Sequence, residues 1–265
     1  MFLEFWRMAA ASLRTEASDL ERAAELIGAA RRGVAFTGAG ISQESGIQTY
    51  RGQGGLWNTT NPNTSSIDFF VNDPGAYWAV ARERGARLLA AQPNAAHQAL
   101  VELERRGNLL AVVTQNVDGL HLLAGSKDVI ELHGNGREVV CLDCGNREPR
   151  SHVQARLEEE LPPRCLRCGG IHMKPAAVFF GEAMPAEETS RAFRLAEECD
   201  LMLVVGSSLV VYPAAQVPLA AQDAGAPLVI LNAEPTPFDK LATIILRGRA
   251  GDLLPELVRL SQEKL

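Results

Sequence analysis

Short apolar runs, mostly β-branched and bounded by glycine or polar residues, recur at 33–37, 109–116, 128–132, 177–180, 201–206, 227–232 and 243–246. Runs that stay apolar on both faces predict strands buried on both sides, as in a parallel sheet. Between them, apolar residues return every three to four positions, which predicts helices over 17–31, 73–91, 95–106, 185–198, 213–224 and 251–263. Strands alternating with helices predict an α/β fold with a parallel sheet covered on both faces. Two stretches break the pattern. The first, 48–72, is rich in Gly, Asn, Thr and Pro and reads as a functional cover or lid. The second, 135–175, holds four of the five cysteines. Both read as excursions from one sheet, without internal repeats.

Composition narrows the class. In 265 residues that are 46% apolar there is core enough for one large α/β domain, and global disorder is excluded. A net charge of −6 argues against a sequence-blind grip on nucleic acid. No apolar run approaches the roughly 20 residues of a membrane span. The opening MFLEFWRMAAA is interrupted by Glu4 and Arg7 and lacks the ordered segments of a signal peptide. Five cysteines are too few, and odd in number, for a disulfide scaffold. A soluble, cytoplasmic protein is expected, with no membrane or nucleic-acid partner.

Chemistry gathers at strand ends. The first strand runs into GVAFTGAGISQESGI (33–47), where small residues let backbone N–H groups approach an anion. Gly38 and Gly40 fill two positions of a dinucleotide fingerprint, but Gln43 stands where the third glycine belongs, so a plain tight turn fits equally. The spacing Cys141-x-x-Cys144 and Cys165-x-x-Cys168, each pair followed by glycine, is that of a closed, structural four-thiolate zinc site. Cys199 reads as a plain, partly buried thiol. After the strands at 109 and 128 come Thr114-Gln115-Asn116-Val117-Asp118 and Glu131-Leu132-His133-Gly134. Amides, a carboxylate and an imidazole at the carboxyl edge of a sheet suit ribose and amide recognition with proton transfer. His133 alone fits a packing role as well as a catalytic one. His97, after Asn94, reads as a capping or packing residue, and His121, His152 and His172 show no constellation.

Taken together these segments resemble the sirtuin family of NAD-dependent protein deacylases. The matching stretches are GAGISQESGIQTYRGQGGLW (38–57), PNAAH (93–97), TQNVDGLH (114–121), ELHG (131–134) and both cysteine pairs. KPAAVFFGE (174–182), VVGSSLVVYPAA (204–215), ILNAEPTP (230–237) and GRAGDLLPEL (248–257) follow in family order. The resemblance implies a Rossmann-like large domain (about 15–50, 93–134 and 176–265), a cofactor loop and helical part of a small lobe (51–92), and a zinc module (135–175). It implies NAD contacts at Gly38, Ala39, Gly40, Ile41, Ser42, Ile47, Thr49, Tyr50, Arg51 and Trp57. Gln115, Asn116, Val117 and Asp118 would meet the nicotinamide riboside. Gly206, Ser207, Ser208, Asn232, Ala233, Glu234 and Ala250 would meet the adenosine end. His133 matches the catalytic histidine. An acyl-lysine peptide would pair between Val178, Phe179, Phe180, Gly181, Glu182 and Leu209, Val210, Val211.

There are departures. Thr49 replaces a frequent aspartate, Tyr50 a phenylalanine, Gln43 an alanine, and Lys174 stands where arginine is common. The implied activity is deacetylation, with release of nicotinamide and O-acyl-ADP-ribose; a desuccinylase-type deacylase and a mono-ADP-ribosyltransferase are the alternatives. Family members that remove acidic acyl groups carry a Tyr-x-x-Arg pair before PNAAH. Counting back places Arg82 at the arginine position but Ala79 at the tyrosine, and Tyr77 lies about 140° around the helix from Arg82. Acetyl-lysine is therefore the expected substrate. The oligomeric state is left open.

Overall fold

The structure, a computed structural model, describes residues 17–52 and 54–263; the opening MFLEFWRMAAA lies outside them. Along the chain run α1 (Ala17–Ala29), β1 (Gly33–Thr37), a 3-10 turn (Ala39–Ser45), α2 (Ile67–Asn72), α3 (Pro74–Ala90), α4 (Ala95–Arg105), β2 (Leu109–Thr114) and α5 (Leu120–Ala124). Then come β3 (Val129–Glu131), β4 (Gly134–Cys141), β5 (Arg147–Pro149), α6 (Arg150–Arg156), β6 (Met173–Ala177), α7 (Ala186–Glu198), β7 (Leu201–Val205), α8 (Gln216–Asp223), β8 (Leu228–Leu231), β9 (Ile244–Leu246) and α9 (Ala250–Glu263).

Six strands form one parallel sheet in the order β3-β2-β1-β7-β8-β9. Every residue of β1, β7 and β8 is buried, as their unbroken apolar runs require. One face is covered by α1, α4 and α9 through Ile27, Leu100, Leu103, Leu254 and Leu257; the other by α7 and α8 through Ala192, Ala196, Val217 and Ala221. Truncating fully buried Leu100 to alanine should cost about 2–5 kcal/mol. The chain builds outward from β1 to β3, then returns to place β7 on the other side of β1. Connections therefore diverge above the β1–β7 pair, and that divergence opens a crevice at the strands' carboxyl ends.

The segment 135–175 is more than an excursion from that sheet. It supplies a second, antiparallel sheet, β5-β4-β6, with a core of its own. Phe70, Tyr77, Trp78, Val139, Val153, Leu157, Met173 and Phe179 pack there, joining α2, α3 and α6 to the small sheet. Trp78 Nε1 donates to Met173 O at 2.8 Å. The strand expected at 177–180 is displaced for the same reason. Met173–Ala177 pairs antiparallel with β4, and beyond Ala177 the chain curls, keeping an isolated bridge between Ser66 and Phe180. Its sequence, MKPAA, is neither β-branched nor evenly apolar, so it carries no strand signal.

Helix boundaries follow capping chemistry. Asp73 accepts from Ala76 N at 2.8 Å and Pro74 opens α3. Asn94 caps α4, and His97 Nδ1 closes the capping box on Asn94 N at 3.3 Å, as a capping role for His97 requires. Among the described residues no helix is long and apolar enough to cross a membrane.

Candidate functional site

A cleft of about 730 Å³ opens over the carboxyl ends of β1, β2, β7 and β8 and is closed on the far side by the small sheet and α3. The sheet side contributes Gly38, Ala39, Gly40, Gln115, Asn116, Val117, Gly206, Ser207, Ser208, Asn232, Ala233 and Glu234. The 48–58 loop adds Thr49, Tyr50, Arg51 and Trp57, and His133 stands on the floor.

Gly38 and Gly40 are needed for close backbone approach. A Cβ on Gly40 would come within 2.7 Å of Gly206 Cα, and one on Gly38 within 2.8 Å of Gly206 O. The 3-10 turn that follows is capped by Gly38 without a side chain; Gly40 N donates to Gly206 O at 2.8 Å and Ile41 N to Gly38 O at 3.1 Å, which pins the turn against the end of β7. Above it, the Arg51 guanidinium sits 4.0 Å from the Trp57 ring centre, its pKa lowered by burial, and pairs with no carboxylate among the described residues. Trp57 Nε1 is a buried donor without a partner among the described residues. A glycine turn, an unpaired cation and a spare donor fit a dinucleotide carrying phosphates.

Behind the cleft lies a buried polar network. Ser42 Oγ donates to Asp118 Oδ2 at 2.8 Å, and Leu120 N donates to Asp118 Oδ1 at 2.9 Å. Asn116 Nδ2 donates to Gly38 O and to Ser42 Oγ, both at 3.2 Å. Burial raises the Asp118 pKa, while those two donors pull it back. His97 and His121 pack 4.9 Å apart behind Ser42 and Thr37. Burial holds both neutral, lowering their pKa values to about 4 and about 3.

His133 Nδ1 lies 3.0 Å from Gln115 O. A carbonyl only accepts, so Nδ1 carries the proton and Nε2 keeps its lone pair. Burial lowers the pKa of the ring, and the bond to Gln115 opposes that. Facing it, Val178–Glu182 forms an edge: Val178 N donates to His133 O at 2.8 Å and Phe180 N to Ser65 O at 3.0 Å. Val178 C=O and Gly181 N–H have no backbone partner among the described residues. Such free groups are what an added strand uses.

The four cysteines meet at the far end of the small sheet, all sulfurs within 4.8 Å of one another. Cys141 and Cys168 Sγ are 3.6 Å apart, and Cys144 and Cys165 Sγ 3.7 Å. A tetrahedron with Zn–S bonds of about 2.3 Å needs sulfurs about 3.8 Å apart, so the set fits one zinc ion. Gly145 and Gly169, at φ 73° and 75°, turn each knuckle back on itself. Cys199 is buried elsewhere, its pKa raised to about 11 by burial.

Several expected residues fall outside the open cleft. Ile41, Ser42 and Asp118 are buried directly behind it, and Ile47 is fixed by its N–H to Ser42 O at 3.2 Å. Ala250 borders a smaller hollow beside Gly40, Gln43, Glu44 and Arg249. On the 209–212 side, Val211 and Tyr212 reach the cleft, whereas Leu209 is 1% exposed in the core and Val210 is 39% exposed elsewhere. Arg82 points away and pairs with Glu158 at 3.2 Å. Sequence reasoning missed Tyr77, Ala81, Arg84, Gly85 and Leu88, which form the inner wall with Gly136 and Arg150. Their spacing along α3 is one helix face, and that signal was available.

A family model described as the Sir2 family matches residues 38–213. NAD-dependent protein deacylase 2 of Archaeoglobus fulgidus is 45% identical over 251 residues, covering 93% of this chain and 99% of the relative. The NAD-dependent protein deacetylase of Sulfolobus acidocaldarius is 47% identical over 241 residues, covering 91% and 94%. Among solved structures, a Sir2 enzyme studied for mechanism and regulation superposes with a TM-score of 0.89 at 43% identity, over 94% of this chain and all of that one. A Sir2–p53 peptide–NAD+ structure matches with a TM-score of 0.81 at 41% identity, over 90% and 95%. With two thirds of its length under the family model and relatives matched nearly end to end, the chain belongs to the Sir2 family.

Proposed function

We propose that this protein is an NAD-dependent protein-lysine deacetylase that transfers the acyl group to ADP-ribose and releases nicotinamide. One observation carries the reading. The proton-accepting Nε2 of His133 stands in the same cleft as the Gly38–Gly40 turn and the unpaired Arg51, opposite a backbone edge with free hydrogen-bonding groups. The relatives' names and the peptide- and NAD-bound neighbours support it.

Each residue's task follows from its chemistry. NAD, when bound, supplies a ribose carbon whose leaving group is nicotinamide and hydroxyls that take over the acyl group. The 38–42 turn and Arg51 hold phosphates, and Asn116 and Asp118 orient the nicotinamide end by hydrogen bonds. Gly206, Ser207, Ser208 and Asn232–Glu234 hold the adenosine end. His133 Nε2 accepts a proton from a ribose hydroxyl, general-base work suited to a ring neutral near pH 7. Tyr50 and Trp57 cover the cleft and exclude water. The acyl-lysine peptide adds as a strand between Val178–Glu182 and Val211–Tyr212. Zinc on the four cysteines is structural, because four thiolates leave no open position. The six-stranded sheet with its helices is the NAD-binding domain, and residues 135–175 with α2 and α3 form the zinc lobe. Its setting is the cytoplasm.

A second acyl preference is favoured by Arg84, a cleft-wall cation with no carboxylate partner among the described residues. It would let the same site accept an acidic acyl group such as succinyl. The deciding experiment measures NAD consumption with and without acetyl-lysine peptide and identifies the products by mass spectrometry. Free lysine and O-acetyl-ADP-ribose in equal amounts are expected. NAD consumption that ignores the peptide would refute the reading.

A further inference from the structure

Lys174, on β6, is a cation placed inside the protein: its side chain is 5% exposed. All three of its N–H bonds are used. Nζ donates to Ala177 O at 2.6 Å, Glu182 Oε2 at 2.8 Å and Pro175 O at 3.2 Å. It also lies 4.3 Å from the centre of the Phe179 ring. The same Glu182 oxygen accepts the Phe179 N–H at 2.7 Å. The chain from Ala177 to Glu182 is thus wrapped around one ammonium group.

A buried charge is costly unless fully paired, and an apolar residue of similar length would fill this space at less cost. The geometry it imposes is what distinguishes it. β6 ends at Ala177 because Lys174 takes that carbonyl, and Glu182, drawn inward, takes the amide of Phe179. The curl leaves Val178 and Phe180 pointing their N–H groups at His133 O and Ser65 O. Val178 C=O and Gly181 N–H stay open to the cleft side of the edge.

We propose that Lys174 is a positioning residue for the acyl-lysine peptide: through Ala177 and Glu182 it holds Val178–Glu182 in the shape on which an extended peptide pairs. The inference rests on the peptide-binding reading above. Lys174 itself does not line the cleft, so its effect is expected on peptide binding and not on NAD.

The test compares wild type with Lys174→Met and Lys174→Arg, measuring peptide Kd by calorimetry and KM for peptide and NAD separately. Methionine fills the space without charge or donors; arginine keeps both. Lys174→Met should raise peptide Kd and KM on the order of tenfold or more, with KM for NAD within about threefold. Lys174→Arg should stay near wild type. A folded Lys174→Met with unchanged peptide affinity, or with both KM values rising together, would overturn the proposal. If Lys174→Met fails to fold, Lys174→Gln, which keeps a donor but removes the charge, carries the decision by the same ratio of peptide to NAD affinity. Wild-type NAD consumption judges the functional reading and the variant ratio judges Lys174, so the two fail separately; a wild type that binds no acyl-lysine peptide overturns both.

Discussion

The imidazole of His133 is held by the backbone of Gln115, Nδ1 to carbonyl oxygen at 3.0 Å. The turn that presents Gln115 and Asn116 to the cleft therefore also fixes the tautomer of this ring. Burial sets its pKa below the usual 6.5 of histidine. The neutral, proton-accepting form then dominates at pH 7, and turnover should fall as the pH drops through a pKa that lies below 6.5. His133→Ala should lose on the order of 10²–10⁴ in kcat with NAD affinity within a few-fold, since the ring moves a proton and anchors nothing. Steady-state kinetics with a separate NAD-binding titration checks both; near wild-type turnover in the variant would remove the assignment.

Zinc should be present at one ion per chain. Cys141 ends β4 beside Met173, the first residue of β6, and Cys165 lies in the segment before β6, so the ion ties that segment to one end of the small sheet. Structural thiolate zinc supplies folding energy to such lobes. Cys144→Ala, or prolonged chelation, should melt the lobe and abolish activity without any direct effect on cofactor chemistry. Metal analysis of purified protein and thermal melts are the measurements. Full activity in metal-free protein would contradict it.

His97 and His121 make stability depend on pH. In the unfolded chain each takes a proton near pH 6.5, whereas burial holds off protonation until about pH 4 for His97 and about pH 3 for His121. Between those values the unfolded state binds more protons, so stability is complete above pH 6.5 and falls as the pH drops towards 4. A depression of this size is worth roughly 3 kcal/mol for His97 alone. Urea midpoints at pH 7 and 4.5 should show the loss, and it should shrink in His97→Gln, whose amide takes no proton.

The parts of this molecule written in the sequence are those governed by local rules. The runs at 33–37 and 201–205, apolar but for Thr37, read directly as interior strands, and the paired Cys-x-x-Cys spacing fixes its own geometry. What escaped was set by partners far away in the chain. β6 is a strand because β4 pairs with it, not because MKPAA prefers to be one. Arg82 and Arg84 are two residues apart and chemically identical, yet one meets Glu158 on the surface and the other the cleft. Counting residues back from a motif cannot tell them apart; the phase of the helix can.

That phase makes the last prediction. Tyr77 and Arg84 are seven residues apart, about 20° short of two full turns, so they share one face of α3, whereas Arg82 lies about 140° from Tyr77. The wall they form also contains Arg150, 4% exposed, whose Nη2 donates to Ala81 O at 3.1 Å and which pairs with no carboxylate among the described residues. Burial lowers the Arg150 pKa and the nearby charge of Arg84 adds to that, so two positive charges sit together with no carboxylate paired to either among the described residues. An acyl carboxylate would relieve that repulsion; an acetyl methyl gives it nothing. Against this, the carboxylate must shed its water on entering a wall that is otherwise Ala81, Gly85 and Leu88. Acetyl-lysine should remain the better substrate, with desuccinylation measurable beside it. A charge-assisted hydrogen bond is worth about 1.5–3 kcal/mol, so Arg84→Met should cut kcat/KM for a succinyl peptide roughly 10- to 100-fold. The acetyl peptide should lose far less, and Arg82→Met should change neither. Succinyl activity that disappears in Arg82→Met but survives Arg84→Met would show that the carboxylate is met on a different face of the helix.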